Sequence, residues 1–255
     1  MLISTATETA ERHKTAFLVD NQPYTGREYI GVSVKPGMPG YGENIAAKSG
    51  GREADPQAYL VIQPPHSVTQ PHFHQTNQFQ VVVAGGGTIG KLRTDPLTVQ
   101  YAGADTPYGP INAEAAGLSY FTLRQQWDSG AKYLPAQREL LVRGKQRQVV
   151  GVKAHRAARD LPAESGVVRL EAMIEPEADG LFVQFLALGP DTQTVLPDSG
   201  DGGGQYHLVA TGSLLRDGKV LPPLSLEFAT PDEGAVRIES GPEGLGLLLL
   251  RFPKL

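Results

Sequence analysis

In the stretch "HFHQTNQFQVVVAG", four polar side chains stand at alternate positions, His72 with His74 and Gln78 with Gln80. Residues two apart on an extended chain point the same way. His72, His74, Gln78, Gln80 and Val82 therefore share one face, and Phe79, Val81 and Val83 the other. Two imidazoles converging on an interior can hold a metal, with amide or carboxylate oxygens completing the shell. The same pair can equally line a hydrogen-bonded pocket, and the residues alone leave both open. His66, in a proline-rich approach, and His13 and His155, among polar residues, read as surface side chains.

The neighbouring "GGGTIG" satisfies a dinucleotide-binding spacing through Gly85, Gly87 and Gly90, with Asp105 downstream. That fingerprint needs a helix to begin at the glycines, and "KLRTDPLTVQYAG" carries Pro96 and then strand alternation. The glycines read as a hairpin turn instead. Ser67, Ser119 and Ser129 lack a nucleophile-elbow turn, and Asp105 and Glu114 have no partner that sequence can place, so neither acyl-enzyme nor paired-carboxylate chemistry is supported.

The elements that must position these residues are strands. Thirty glycines and twenty prolines punctuate short windows rich in Val, Tyr, Phe and Ile, such as "AYLVIQ", "LSYFTLR" and "LFVQFLAL", which indicates an all-β sandwich or barrel. One helix is expected, over Pro135 to Gln148. Sliding the chain over itself pairs "QFQVVVAG" at Gln78 with "QYHLVATG" at Gln205, a shift of 127 that also places Asp105 on Asp232 and Arg124 on Arg251. Upstream, after a one-residue slip, "YLVIQPP" at Tyr59 meets "FLALGPD" at Phe185. Two tandem β domains are expected, 1–131 and 150–255, joined by a linker over 132–149.

Charge and composition narrow the partners. With 255 residues, 40% hydrophobic and a formal net charge of −4, the chain can build its own cores and carries no basic field for nucleic acid or an anionic membrane. It has no cysteine, hence no thiolate and no cysteine-based metal site. The first residues show no signal-peptide pattern, and the longest apolar run, "LGLLLLRF", is too short to span a bilayer, so a cytoplasmic location is expected.

These motifs resemble the cupins, whose first motif runs G-x5-H-x-H-x3-E-x6-G and whose second contains P-x-G-x2-H. His72, His74, Gln78 and Gly85 match the first, and Pro107, Gly109 and Asn112 in "PYGPIN" the second. The resemblance is close from about Tyr59 to Arg124 and extends through the repeat to both halves. It implies a bicupin of two jelly-roll barrels, with a metal set of His72, His74, Gln78 and Asn112 in the first barrel only. The departures are specific. Gln78 replaces the Glu ligand, Asn112 the His, His66 the leading Gly and Ala116 the later Asn. Two neutral amides would leave a dication's charge uncompensated. One divalent transition metal (Fe, Ni, Zn, Mn or Cu) is the cofactor the resemblance implies.

The second copy has Ser199 and Asp201 where the histidines stand, in a loop "DSGDGGG" that lacks the acidic closing residue of a calcium loop. It reads as structural or dimer-forming, with His207 a satisfied interior histidine. Two functional readings remain. One is a small-molecule enzyme, dioxygenase- or isomerase-like, that holds a metal on His72, His74 and Gln78. The other is a non-catalytic barrel that binds an organic ligand without metal, with Gln80, Tyr101 and Tyr108 as ligand contacts in either case.

Overall fold

The structure, a computed structural model, describes residues 1–45, 54–144, 146–151 and 160–255. The fold is all-β, and the chain forms two compact units, Arg12–Val150 and Met1–Glu11 with Gly151–Leu255. The division falls at the end of the expected linker rather than its start, because Lys132–Tyr133 and Gln148–Gly151 pair with strands of the first unit. The first eleven residues belong with the second unit, where Leu2–Thr5 adds itself antiparallel to Leu226–Ala229.

In the first unit the sheet runs Gln148–Gly151, Val99–Ala102, Gln78–Ile89, Ile111–Arg124, Gln57–Gln63, Gln22–Ile30, Lys14–Val19, and His72–Phe73 pairs separately with Lys132–Tyr133. The second unit repeats the order as Leu226–Ala229, Gln205–Arg216, Arg237–Arg251, Phe182–Leu188, Val168–Ile174. Three strand pairs obey the 127-residue shift. Upstream the registers differ from the sequence expectation. Gln63 lies opposite Leu118 and Leu188 opposite Leu245, so Gln63 corresponds to Leu188, two residues off the main shift rather than one. A one-residue slip would have turned every side chain of that strand to the wrong face, whereas two preserve the inward set.

The triple glycine lies within the Gln78–Ile89 strand, and the hairpin turn follows at Gly90 and Lys91, since Ile89 pairs with Leu92. Gly85 sits at φ +72°, where the register shifts, and a Cβ there would collide with the Gly117 carbonyl oxygen. Gly212 meets Gly244 in the same way at φ +66°. Only the first glycine recurs because only that position carries the bulge.

The expected helix over Pro135 to Gln148 is absent among its described residues beyond a single 3-10 turn, Arg138–Leu140. Gln137 is drawn away to the Tyr133 amide and the Gly42 carbonyl, and Gln146 and Arg147 bind the 105–106 turn, so tertiary hydrogen bonds override helical propensity. An α-helix forms instead at Thr7–Arg12. No helix of the described residues is long and apolar enough to cross a membrane.

Candidate functional site

His72 is held by the strand pair with Tyr133 and by a bridge to Tyr108, with backbone bonds of 3.1 and 3.0 Å in both directions. That bridge carries the Tyr108 hydroxyl to His72 Nε2, at 2.8 Å. The other ring nitrogen, Nδ1, donates to the Gln70 carbonyl at 2.7 Å, so Nε2 is the acceptor and Tyr108 its donor. The same hydroxyl accepts from Gln78 Nε2 at 2.6 Å and from Gln80 Nε2 at 3.4 Å. Gln80 Oε1 in turn accepts from Gln100 at 3.1 Å.

His74 donates from Nδ1 to Asp128 Oδ1 at 2.8 Å. The Asp128 carboxylate also accepts the Gly130 and Gln75 amides and Lys132 Nζ at 3.4 Å. At the centre lies Arg124, 1% exposed. Its guanidinium donates to Gln78 Oε1 (3.1 and 3.3 Å) and Gln57 Oε1 (2.5 Å), stands 3.0 and 3.2 Å from the two nitrogens of His74, and lies over the Tyr59 ring.

The electrostatics follow from this packing. Burial and then the Arg124 charge push His74 down to about 3, and burial, with a smaller push from Arg124, takes His72 to about 4, so both rings are neutral near pH 7. Burial alone would raise Asp128, but the His74 ring N–H, Arg124 and Lys132 outweigh it and hold the carboxylate ionised. Burial raises the Tyr108 hydroxyl above its ordinary value, so it stays a neutral donor.

The expected metal set does not survive this geometry. Asn112 donates to Thr88 Oγ1 at 2.8 Å, while Ile111 and Ala113 on either side of it enter the core, so strand parity turns its amide away from the histidines. Tyr101 lies opposite Phe79, rings 5.2 Å apart and under the Arg147 guanidinium, on the face opposite Gln78 and Gln80. His66 and His13 are exposed as expected, and His155 lies outside the described residues.

The remaining three donors, His72, His74 and Gln78, are brought together, but Tyr108 caps His72 Nε2 while a guanidinium sits against His74 and takes the Gln78 oxygen. A dication on those atoms would stand beside a fixed positive charge with no carboxylate among its ligands. The residues do not fit a metal as they are arranged. No cluster of three or more His, Asp, Glu or Cys able to hold one occurs among the described residues.

What these side chains do enclose is a pocket of about 560 Å³, mouth included, lined by six of the nine tyrosines (Tyr24, Tyr41, Tyr59, Tyr108, Tyr120 and Tyr133) with His72, His74, Gln80 and Thr122. Sequence reading missed Arg124, Asp128, Tyr120 and Thr122. Parity offered one signal, since Tyr120, Thr122 and Arg124 alternate on one strand, but it could not say which face was inward.

No protein-family model matches the chain, and no curated protein does. Solved structures do. They include a Nostoc punctiforme protein provisionally described as a dioxygenase (TM-score 0.60, 12% identity, all of this chain and 83% of that one). A second is Bacillus subtilis oxalate decarboxylase (0.54, 11%, all of this chain and 78% of that one), and a third the bacterial pirin YhhW of Escherichia coli in complex with nickel(II) (0.55, 11%, the whole of both chains). At these identities the likeness carries the fold, the cupin double-stranded β-helix, as the motifs implied. Bound metal belongs to two of these neighbours, nickel(II) in the pirin and Mn(II) centres in the decarboxylase.

Proposed function

We propose that the Arg12–Val150 barrel of this cupin-fold chain is a small-molecule-binding site that works without a resident metal. One observation carries the reading. The Tyr108 hydroxyl occupies the Nε2 lone pair of His72, and the Arg124 guanidinium takes the Gln78 oxygen and stands against the His74 ring, where a cupin metal's charge would lie. An internal cation, fixed by amide oxygens and an aromatic ring, stands in for the ion, and the space above it is walled by tyrosines. The dioxygenase- or isomerase-like alternative requires His72, His74 and Gln78 to bind a divalent ion against that charge.

Metal content tests the choice. Protein purified without chelator should carry background transition metal by inductively coupled plasma mass spectrometry. The double variant Gln78→Glu, Arg124→Met removes the cation and supplies a carboxylate, and should gain up to one equivalent on dialysis against Mn(II) or Ni(II). A full equivalent in the unmodified protein, lost in His72→Ala, His74→Ala, overturns the proposal.

A further inference from the structure

The repeat makes one strand near the sheet margin equivalent in the two units. In the first, Gln22–Ile30 pairs with Gln57–Gln63 and shifts register before Ile30, which lies opposite Ala58. In the second, Val168–Ile174 pairs with Phe182–Leu188 and shifts register before Ile174, which lies opposite Val183. Their other sides differ. From Gln22 to Arg27 the first strand is covered by Lys14–Val19, whereas no strand of the described residues pairs with the far side of Val168–Ile174.

An edge strand offers a row of backbone N–H and C=O groups to any second strand, and proteins commonly blunt it with a proline, a lysine or a cover. The segment "VRLEAMI" has neither proline nor lysine, and its first three residues are exposed, Val168 at 45% and Leu170 at 53%. Both lie across from core leucines, Val168 from Leu188 and Leu170 from Leu186, so the apolar face of the sheet runs on to its margin.

The order of residues along this edge specifies its partner. Laid antiparallel on a second copy about a twofold axis at Leu170, Leu170 meets Leu170, Val168 meets Ala172 and Arg169 meets Glu171. Alternation then gathers Val168, Leu170 and Ala172 of both strands into one apolar stripe and sets two Arg–Glu pairs on the opposite face. Neither Arg169 nor Glu171 is in an ion pair within the chain among the described residues. A twofold axis at Arg169 or at Glu171 would set like charges opposite, so the pattern favours one register.

We infer that a second copy of this chain docks on the Val168–Ile174 edge, strand to strand and antiparallel about Leu170. The partner strand fills in the second unit the place that Lys14–Val19 fills in the first. The inference is independent of the ligand reading above.

A single strand a side makes a small interface, so sedimentation velocity over about 1–200 µM should show monomer giving way to dimer. Arg169→Glu and Glu171→Arg each set like charges opposite and should weaken self-association at least about tenfold. The double variant restores opposite charges in swapped order and should recover the dimer. Because the chain has no cysteine, Leu170→Cys should cross-link two copies on mild oxidation, and Arg169→Cys, out of register with its own mate, should not. A monomer throughout, a dimer unchanged by both single reversals or not recovered in the double, equal cross-linking at both positions, or assemblies that grow past two chains through the Lys14–Val19 margin overturn the inference.

Discussion

Three successive inward positions read Tyr120, Thr122 and Arg124 in one barrel and Leu247, Leu249 and Arg251 in the other, at the same places in the same strand. The arginine is common and its surroundings are not. Arg124 meets His74, Gln78 and Gln57 deep in the barrel, whereas Arg251 donates to the Gly180 and Asp198 carbonyls, reaches Asp201 at 3.5 Å and lies over Phe182. Around it the second barrel is closed by apolar packing, with Leu186, Leu245, Leu247 and Leu249 in one core cluster. Its buried charges are paired internally. Glu227 takes both Arg216 nitrogens at 2.8 and 2.9 Å and the His207 ring at 3.3 Å, and Gln205 bonds the other side of that ring. In the first barrel the corresponding pair is neutral, Gln80 with Gln100. A shared scaffold thus holds a tyrosine-walled pocket in one barrel and an apolar core cluster in the other, and two inward positions of the shared strand carry hydroxyls in the first and leucines in the second.

The sharpest way to break this comparison is to remove each arginine. Arg124→Met leaves Gln57, Gln78 and Asp128 without their buried cation and should destabilise the first barrel by about 3–5 kcal/mol. Arg251→Met loses bonds mainly to loop carbonyls and should cost only about 1–3 kcal/mol. Urea unfolding reads the two separately, because Trp127, the single tryptophan, lies in the first barrel and its fluorescence reports that unit, while far-ultraviolet circular dichroism reports both. Similar costs for the two variants would mean that Arg124 has no special place.

Exchanging the row comes next. Leu249→Thr puts a hydroxyl into a packed core and should cost about 2–4 kcal/mol, through lost apolar contact and an unmatched polar atom. Thr122→Leu points into the pocket rather than into a packed core and should change stability by less than about 1.5 kcal/mol, and urea unfolding of the two variants side by side checks the contrast.

The mildest effect is silent at neutral pH and appears on acidification. Unfolded imidazoles take up protons from about pH 6.5, whereas His72 and His74 resist until about 4 and 3, so the first barrel should lose stability as pH falls from 6.5 towards 4. In the second, Glu227 is held low against the pull of burial by its His207 and Arg216 bonds, and its contribution is lost only as pH falls below the ordinary glutamate value of about 4.3. Trp127 fluorescence should therefore report unfolding at higher pH than circular dichroism does. Coincident acid transitions would show that the buried histidines do not set the difference.

The strand pattern, the 127-residue shift and the inward row from His72 to Gln80 followed from period-two alternation and turn residues, because those signals are local and repeat along the chain. So did the loss of both imidazoles from the second copy, where Ser199 and Asp201 stand in their place. The spacing of the motifs also led to a tyrosine that belongs to the site, Tyr108. It misled at Tyr101 and Asn112, because a bulge and a strand's facing decide which of two neighbouring side chains turns inward, and neither is written in spacing. Arg124 is the clearest case. Its recurrence as Arg251 is plain in the repeat, yet only the folded barrel brings residues 57, 74, 78 and 128 around one guanidinium beside the two-histidine motif. Long-range contacts of this kind depend on how several strands register against one another, and that is settled by packing the whole sheet rather than by any one segment.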